Sequence, residues 1–401
     1  MRFVVEAIGV SASGGLTVAT NLLCEMARHG DHEYTVLAPS IPEYNKCAES
    51  PNVKLISLAK PSTLVGRYSL LQSAVPRFCR ETNADGLLCL GNYVPKRRPC
   101  PTAVLMNNPY VVYREPAFER HLTVREKLIL AYARKQYSRH PLDVLIIVHA
   151  GFDKYRLVRF YDIDPCGIVT IPCGCPKLPT SERTWRATGQ AQGGAFRFLY
   201  LSRYEPHKNF EVLIEALKRL PAYTKRAAEC VTNVCAHHHP GARKFVHQVG
   251  NQTSEDRVVN VGWIETKEEM ERLYLSADAY VFPSVLETFS LTYDEAMLAG
   301  LPILTSDRDF ARERCRDAAI YFDPHDADSV ARAMARVMED AELRKRLVEN
   351  GRRILRQAPT WDEIAARFVE VLERMARGEP PVFDESDSWH ANDHLRIAEG
   401  F

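Results

Sequence analysis

Residues 281–307 read VFPSVLETFSLTYDEAMLAGLPILTSD. The apolar run Ala279–Phe282 leads into this stretch and predicts a buried strand, because short apolar runs with aromatic and β-branched residues are typical of central strands. A polar loop follows, then a helix that begins near Leu291 and ends at Gly300-Leu301-Pro302, and a second apolar run comes directly after it. Strand, helix and strand in this order predict a parallel sheet with helices packed on its faces.

The same alternation runs along the rest of the chain. Short apolar strands are predicted at 2–10, 34–38, 53–57, 86–90, 103–106, 144–148, 196–202, 230–236, 258–261, 302–306 and 319–322. Helical spacing of apolar residues is found at 16–28, 210–220, 267–276, 293–299, 327–339, 341–356 and 361–377. Around 179–194 the composition changes to Pro, Thr, Ser, Gly, Gln and Ala, which separates two halves of the pattern.

These halves predict two doubly wound α/β domains in tandem. The first covers 1–180 and is followed by a linker at 181–194. The second covers 195–377, and its last helix, 361–377, could pack back on the first domain. The acidic stretch 378–401 is predicted to be a flexible tail. Because open parallel sheets bind ligands at the carboxyl ends of their strands, we expect the two domains to face each other across a cleft.

Composition excludes several classes of protein. The 401 residues hold 52 Lys and Arg against 51 Asp and Glu, whereas a dedicated nucleic-acid binder is normally clearly basic. No window holds the roughly 18 consecutive apolar residues of a membrane span. The eleven cysteines are an odd number, and the N-terminal run predicts a first strand and not a signal peptide, so we expect free thiols and a cytoplasmic protein.

Two glutamates, Glu287 and Glu295, flank the start of the helix near Leu291. Carboxylates bind vicinal hydroxyls well, so a ribose or a hexose is a natural ligand for this pair. Between them, the N–H groups of Phe289, Ser290 and Leu291 lie at a helix N-terminus, which is suited to an anion. Alternatively, Glu295 lies on a solvated helix face and Glu287 only complements the helix dipole.

Two cations, Arg203 and Lys208, follow the first strand of the second domain in the stretch LSRYEPHKN, residues 201–209. An arginine fork and a lysine point charge on one loop suit a diphosphate. The alternative is a solvated basic turn, which is the usual role of two cations in a loop.

Together these motifs resemble those of the retaining glycosyltransferases of the GT-B fold, family 4, and the resemblance covers nearly the whole chain. Glu287 and Glu295 match the family's E-x7-E motif, and Arg203 and Lys208 match the residues that hold the donor diphosphate. The resemblance implies that the second domain binds the donor. It also implies that Glu295 contacts the ribose, that Glu287 contacts the donor sugar, and that Arg203, Lys208 and Glu287 are catalytic.

Further positions follow from the same resemblance. Gly262 matches the glycine before the nucleotide-side loop, and Gly14-Gly15 match the glycine pair after the first strand, with Gly15 on the donor side and Gly14 on the acceptor side. Many relatives have a histidine where this chain has Asn107 and Asn108, which we take as acceptor-side candidates. An amide can hydrogen-bond a sugar hydroxyl but is not a general acid or base near neutral pH. Ser290 also departs from the family, which commonly has glycine there.

Metal-binding patterns are weak. Three D-x-D triplets begin at Asp162, Asp307 and Asp326, and Cys235 lies near His237, His238, His239 and His247, but none has the spacing of a structural metal site. We therefore predict no metal and no cofactor.

Positive charge is concentrated in the first domain. Residues 1–185 hold 23 Lys and Arg against 16 Asp and Glu, whereas residues 186–401 hold 29 against 35. The segments 96–98 and 114–140 contribute much of this excess and could contact an anionic membrane. A solvated helix with one core face is the alternative for 114–140.

The sequence thus predicts a retaining, metal-independent glycosyltransferase that moves a hexose from a nucleoside diphosphate sugar, UDP- or GDP-linked, to a hydroxyl on a glycan or lipid-linked acceptor. The first domain would bind the acceptor. The protein would be cytoplasmic, either free or peripheral on the inner face of the membrane. Two alternatives are a nucleotide-sugar epimerase of the same fold and a non-catalytic nucleotide- or carbohydrate-binding relative.

Overall fold

A computed structural model describes residues 1–59, 63–114, 119–120, 122–139, 143–175, 194–253 and 256–381. The chain divides into two compact units. Unit 1 comprises Met1–Pro176 and Pro359–Phe401, and unit 2 comprises Lys177–Ala358. The predicted linker, 181–194, lies outside the described residues except for Gly194, and so does most of the predicted tail, from 382 onward.

Unit 1 contains a seven-stranded parallel sheet with the order β3-β2-β1-β4-β5-β6-β7. Its strands are β1 (Arg2–Glu6), β2 (Glu33–Pro39), β3 (Val53–Leu58), β4 (Gly86–Cys89), β5 (Thr102–Leu105), β6 (Val144–Val148) and β7 (Ile168–Thr170). Its first helices are α1 (Ser13–Met26), α2 (Pro42–Cys47), α3 (Leu64–Glu81), α4 (Pro109–Val112), α5 (Val124–Ser138) and α6 (Gly151–Tyr161). Strands β4 and β5 are buried throughout, as expected for parallel strands that are covered on both faces.

Unit 2 contains a six-stranded parallel sheet with the order β10-β9-β8-β11-β12-β13. Its strands are β8 (Phe196–Tyr200), β9 (Ala228–Thr232), β10 (Arg257–Asn260), β11 (Ala279–Phe282), β12 (Ile303–Ser306) and β13 (Ala319–Phe322). Its helices are α7 (Glu211–Arg219), α8 (Pro240–Gly250), α9 (Lys267–Ser276), α10 (Leu291–Leu298), α11 (Asp309–Cys315), α12 (Ala327–Glu339) and α13 (Ala341–Gln357).

The last helix, α14 (Trp361–Ala376), belongs to unit 1, although it lies within the range 195–377 that was assigned to the second domain. Thr360 and Glu363 form a capping box at its start. The helix packs against α1 and β4, and His32 Nε2 lies 2.8 Å from Glu373 Oε1. Tertiary packing and not sequence order therefore decides which unit contains this helix.

In both sheets the strand order reverses beside the first strand. β1 pairs with β2 on one side and β4 on the other, and β8 pairs with β9 and β11. Such a switch point opens a crevice at the carboxyl ends of the two central strands, where open α/β sheets bind their ligands. The fold thus marks one candidate binding region in each unit.

Candidate functional site

Lys208 and Glu287 meet at the switch point of unit 2. Lys208 ends a short 3-10 helix, Pro206–Lys208, after β8, and Glu287 lies in the loop after β11. Lys208 Nζ donates to Glu287 Oε1 at 2.5 Å, and the two side chains are 16% and 7% exposed. Two sequence-predicted residues 79 positions apart therefore form one largely buried ion pair, with the lysine retaining the larger exposed fraction.

Hydrogen bonds fix the two loops that present this pair. Val285 N donates to the carbonyl of His207 at 2.8 Å, and Tyr200 Oη donates to the carbonyl of Lys208 at 2.9 Å. Asn209 has a positive φ of 55°, and its amide donates to the carbonyls of Pro283 and Pro324. The lysine and the carboxylate are thus held in place by backbone contacts, as a preorganised charged site requires.

The N-terminus of α10 lies between Glu287 and Glu295. Ser290 is the N-cap residue, but its hydroxyl contacts the hydroxyl of Thr292 at 2.9 Å and does not cap the helix. Phe289 and Leu291 are partly exposed beside it. An N-terminus without a side-chain cap keeps its positive dipole end available for an anion.

Glu295 lies one turn inside α10 and is partly buried. Tyr274 Oη, on α9, donates to Glu295 Oε2 at 2.8 Å. Burial raises the pKa of Glu295, and the hydrogen bond from Tyr274 acts against this rise. The neighbouring Asp294 is deeply buried and forms an ion pair with Arg314, so it stabilises the unit while Glu295 keeps an oriented carboxylate.

Arg203 is exposed, with its Nε 3.6 Å from Glu205 Oε1. Burial lowers the pKa of His238, and the charge of Arg203 lowers it further. His238 contacts the half-exposed Trp263 edge to face, with 4.8 Å between the ring centroids. Gly262, just before this tryptophan, has a φ of +81°, a conformation that favours glycine. The predicted Gly262 thus adjoins an aromatic pair, His238 and Trp263, that the sequence did not reveal.

The switch point of unit 1 holds a different pair. Glu6 ends β1 and is 2% exposed, and it accepts hydrogen bonds from the N–H groups of Ile8 and Gly91. Burial raises the pKa of Glu6, and Arg67 acts against this rise. Arg67 donates to the carbonyl of Gly91 at 2.9 Å and lies against Gly9, where a Cβ would be 1.8 Å from its Cζ. A carboxylate within the apolar run RFVVE was the available sequence signal for Glu6, whereas nothing indicated Arg67.

The predicted acceptor-side residues lie after β1 and β5. Gly14 and Gly15 are in the first turn of α1, and a Cβ on Gly14 would meet no atom within 4 Å. The N–H of Asn107 donates to Asn92 Oδ1, and Asn108 Oδ1 caps α4 by accepting from Tyr110 N at 3.0 Å. Asn108 therefore has a local structural role beside any contact with an acceptor.

A histidine does occur at the carboxyl edge of unit 1. His149 follows β6, is 5% exposed and contacts the carbonyl of Ile171 through Nδ1 at 3.0 Å. Burial lowers its pKa to about 4, so the ring is neutral near pH 7. Its place directly after an apolar strand was the signal that could have identified it.

The acidic and histidine clusters have local roles in the structure. Asp164, Asp326 and His239 each accept a backbone N–H at the start of a helix, and Asp307 pairs with Arg312. Among the described residues, no group of three or more His, Cys, Asp or Glu side chains is arranged to hold a metal ion. Within the same residues, no helix is both long enough and apolar enough to cross a membrane.

Residues 181–354 match the family model described as "Glycosyl transferases group 1". Among curated proteins, the O-antigen chain mannosyltransferase B of Escherichia coli is 26% identical over 234 residues, which cover 56% of this chain and 59% of that protein. The phosphatidyl-myo-inositol mannosyltransferase of Mycobacterium tuberculosis is 30% identical over 186 residues, 44% of this chain and 47% of that protein. The chain thus spans less than two thirds of each of these relatives.

Solved structures match over nearly the whole length. Sucrose-phosphate synthase from Thermosynechococcus elongatus has a TM-score of 0.74 and 19% identity, covering 94% of this chain and all of that one. Anabaena HepE, in complex with UDP and glucose, has a TM-score of 0.70 and 16% identity over 93% of this chain and 99% of that one. These likenesses confirm the predicted GT-B fold with two Rossmann-like units, and residues 181–354 are similar to the group 1 glycosyltransferases. The assignment to family 4 and the retaining mechanism remain predictions.

Proposed function

We propose that this protein is a retaining glycosyltransferase that moves a hexose from a nucleoside diphosphate sugar to a hydroxyl acceptor. The observation that carries the proposal is the Lys208–Glu287 ion pair beside the uncapped N-terminus of α10, at the switch point of a group 1 glycosyltransferase domain. The cation and the N–H groups of the helix N-terminus suit a diphosphate, and the carboxylate suits the hydroxyls of the sugar attached to it.

The donor would bind to unit 2. Glu295, oriented by Tyr274, would accept hydrogen bonds from ribose hydroxyls, and Glu287 would contact the donor sugar. The phosphates would lie against the N-terminus of α10 and the cations Arg203 and Lys208. That Anabaena HepE was solved with UDP and glucose, and that relatives are mannosyltransferases, supports a UDP- or GDP-linked donor.

In the reaction, the acceptor oxygen would bond to the anomeric carbon on the face from which the diphosphate leaves. The bond from that carbon to the phosphate oxygen breaks, and its electron pair goes to the diphosphate. The departing oxygen takes the acceptor's proton, so that no protein base is required. Lys208 and Arg203 stabilise the charge that develops on the diphosphate, an electrostatic contribution of the kind that commonly dominates catalysis. Because these cations neutralise the leaving group, we expect the enzyme to need no metal.

The acceptor would bind to unit 1, and we retain a glycan or a lipid-linked sugar as its class. Gly14, Asn107 and Asn108 remain candidates for contacts with it. A cytoplasmic location remains a prediction. Both curated relatives named above are transferases, which favours transfer over epimerisation or over binding without catalysis.

A thermal-shift screen with UDP, GDP, ADP and their sugars tests the proposal. Ligands that bind the folded state raise its stability with the logarithm of their concentration, so one nucleotide series should raise the melting temperature. The stabilising donor is then incubated with candidate acceptors, and the released diphosphate is measured. An epimerised sugar nucleotide formed without acceptor, or binding without release of diphosphate from any acceptor mixture, would favour an alternative function.

A further inference from the structure

Helix α5 presents an unusual outward face. Nine large hydrophobic side chains are exposed among the described residues, and three of them, Val124, Leu128 and Tyr132, are spaced four apart on this helix. Residues at this spacing lie on one face of a helix. Val124 is 76% exposed and Leu128 is 64% exposed. Single exposed apolar residues are ordinary, but an aligned apolar stripe on one helix points to a contact surface. We call Val124, Leu128 and Tyr132 the α5 stripe.

The opposite face of the helix holds it in unit 1. Leu130, Ala133 and Tyr137 are buried, and Tyr137 Oη donates to the carbonyl of Asn92 at 3.0 Å. Glu126, the one acidic residue in α5, is used in the capping box with Thr123. A separate set of residues therefore packs α5 into the core of unit 1, and the α5 stripe is not needed for that packing.

Positive charge surrounds the stripe. Arg125, Lys127, Lys135 and Arg139 are all exposed, and within the described part of the chain none of these four forms an ion pair. Three other cations of the predicted basic segments are bound by neighbouring groups. Arg98 pairs with Asp143, Arg134 pairs with Glu119, and Arg114 donates to the carbonyl of Phe160. The four cations around the α5 stripe are thus available for an outside contact, whereas Arg98, Arg114 and Arg134 are used within unit 1.

Tyr132 connects the stripe to the carboxyl edge of the sheet in unit 1. Its ring contacts Tyr68 on α3, at 5.5 Å between centroids, and Tyr93, at 5.6 Å, in the loop after β4. Arg67 lies over the ring of Tyr93 at 5.4 Å. One turn before Tyr68, Val65 is 78% exposed. A continuous line of contacts therefore runs from the outward apolar residues to the switch point of unit 1.

We propose that the α5 stripe docks on an anionic lipid bilayer, with Val124 and Leu128 inserted among the lipids and Arg125, Lys127, Lys135 and Arg139 contacting the headgroups. Aliphatic residues flanked by cations, with no acid facing outward, are the pattern of a helix that lies in a membrane interface. This arrangement complements an anionic bilayer in charge. Resting on the proposed function, it would place the switch point of unit 1 near an acceptor carried by a lipid.

Vesicle sedimentation with the full-length protein tests the docking without any need for donor or acceptor. The wild-type chain should sediment with vesicles of phosphatidylcholine and phosphatidylglycerol, and much less with phosphatidylcholine alone. Leu128→Asp should lower the partition coefficient by about tenfold or more, because it removes a leucine that would insert among the lipids and adds a charge that anionic headgroups repel. The double variant Lys127→Gln with Lys135→Gln should lower binding by about fivefold per cation and reduce its salt dependence.

Leu275→Asp is the matched control. Leu275 lies on α9 of unit 2, is 60% exposed and is not part of the stripe. Its variant should bind vesicles like the wild type, with both leucine variants keeping the wild-type melting temperature. A second readout compares Leu128→Trp with Leu275→Trp: only the first should be quenched by lipids with brominated chains.

Equal binding by the Leu128 and Leu275 variants, equal binding to neutral vesicles, or no sedimentation of the wild type would overturn the proposal. If the α5 stripe instead bound an acidic protein, the wild-type chain would not sediment with the vesicles. The proposed function can fail separately, because a chain that sediments with vesicles but binds no nucleotide sugar would contradict only the transferase assignment. Lys208→Ala should leave sedimentation unchanged.

Discussion

Each of the two sheets has a carboxylate and a cation at its switch point, but different parts of the fold supply them. In unit 1 the carboxylate of Glu6 is part of the central strand β1, and Arg67 covers it from α3. In unit 2 both Lys208 and Glu287 come from loops beyond the strands β8 and β11. Glu6 also accepts hydrogen bonds from two backbone N–H groups, so the backbone of unit 1 already binds its carboxylate.

This difference indicates a division of roles. A pair built into a strand and its neighbouring glycines stabilises the unit that contains it, and a ligand would have to compete with those contacts. A pair on two loops beside an uncapped helix end can exchange part of its contact for a ligand. The same topological position therefore serves stability in unit 1 and, by our proposal, chemistry in unit 2.

The largest effect is expected for Lys208→Ala. Transfer should fall by about 100- to 1,000-fold, as is typical when one group that stabilises developing negative charge is removed. The measurement is release of diphosphate with saturating donor and acceptor. Lys218→Ala, an exposed lysine of α7 paired with Glu215, is the control and should retain wild-type turnover. If the two variants were equally active, Lys208 would not hold the leaving group.

Acid should weaken unit 1 through His149. Its pKa is lowered from 6.5 to about 4, so between these values the unfolded chain binds a proton that the folded chain does not. Its contribution to the free energy of unfolding is therefore full above pH 6.5 and declines by about 3 kcal/mol as the pH falls to 4. Urea unfolding across this range should show a shallower pH dependence for His149→Gln than for the wild type.

The exposed His325→Gln is the control and should keep the wild-type dependence. His207, which is buried in unit 2 with its pKa lowered well below the usual value, acts in the same direction. Hydrogen exchange of separate peptides distinguishes the two units. Protection around β6 and β7 that did not respond to acid would contradict the assignment to His149.

Arg67→Ala should destabilise unit 1 by about 2 kcal/mol, because a buried carboxylate loses its cation. Adding Glu6→Gln should recover part of the loss, since the neutral amide needs no cation. Hydrogen exchange should report faster opening in unit 1 alone, and the thermal shift produced by a bound nucleotide should be unchanged. Loss of nucleotide binding would show that the two switch points do not differ as described.

The smallest effect is expected for Gly14→Ala. The new methyl group meets no atom within 4 Å, and alanine favours a helix, so the free energy of unfolding should rise by about 0.5 kcal/mol. Gly9→Ala is the contrasting variant, because its Cβ would displace Arg67. Melting temperatures measure both. A lower melting temperature for Gly14→Ala would contradict this prediction, because it would mean that another group occupies the space beside Gly14 in solution.

The sequence was sufficient for the fold because alternation of strands and helices is a local signal. The bounds predicted at 144–148, 267–276, 279–282 and 327–339 agree with β6, α9, β11 and α12. Several elements were missed, among them the helices α2, α3, α6 and α11 as well as β7 and α8. β7 has only three residues at a sheet edge, and α8 begins after a run of three histidines and contains two glycines, so neither has a clear apolar period.

The candidate site was predictable only in part. Glu287, Glu295, Arg203 and Lys208 could be selected because each follows a strand or starts a helix, and the family resemblance assigned their roles. The contact between Lys208 and Glu287 depends on the pairing of β8 with β11. This pairing cannot be predicted from the local sequence pattern. Arg67 is an ordinary basic residue in a helix, and only the packing against Gly9 and Gly91 gives it a partner.

The place of α14 in unit 1 has a consequence for how the protein is made. Unit 2 is in effect an insertion between two pieces of unit 1, and those pieces join where Cys175 N donates to the carbonyl of Pro359 at 2.8 Å. A ribosome that has made the strands of unit 1 must complete all of unit 2 before it supplies α14. The helix that covers α1 and β4 is therefore made after unit 2, so unit 2 can finish folding while the apolar surface beneath α14 is still exposed to solvent.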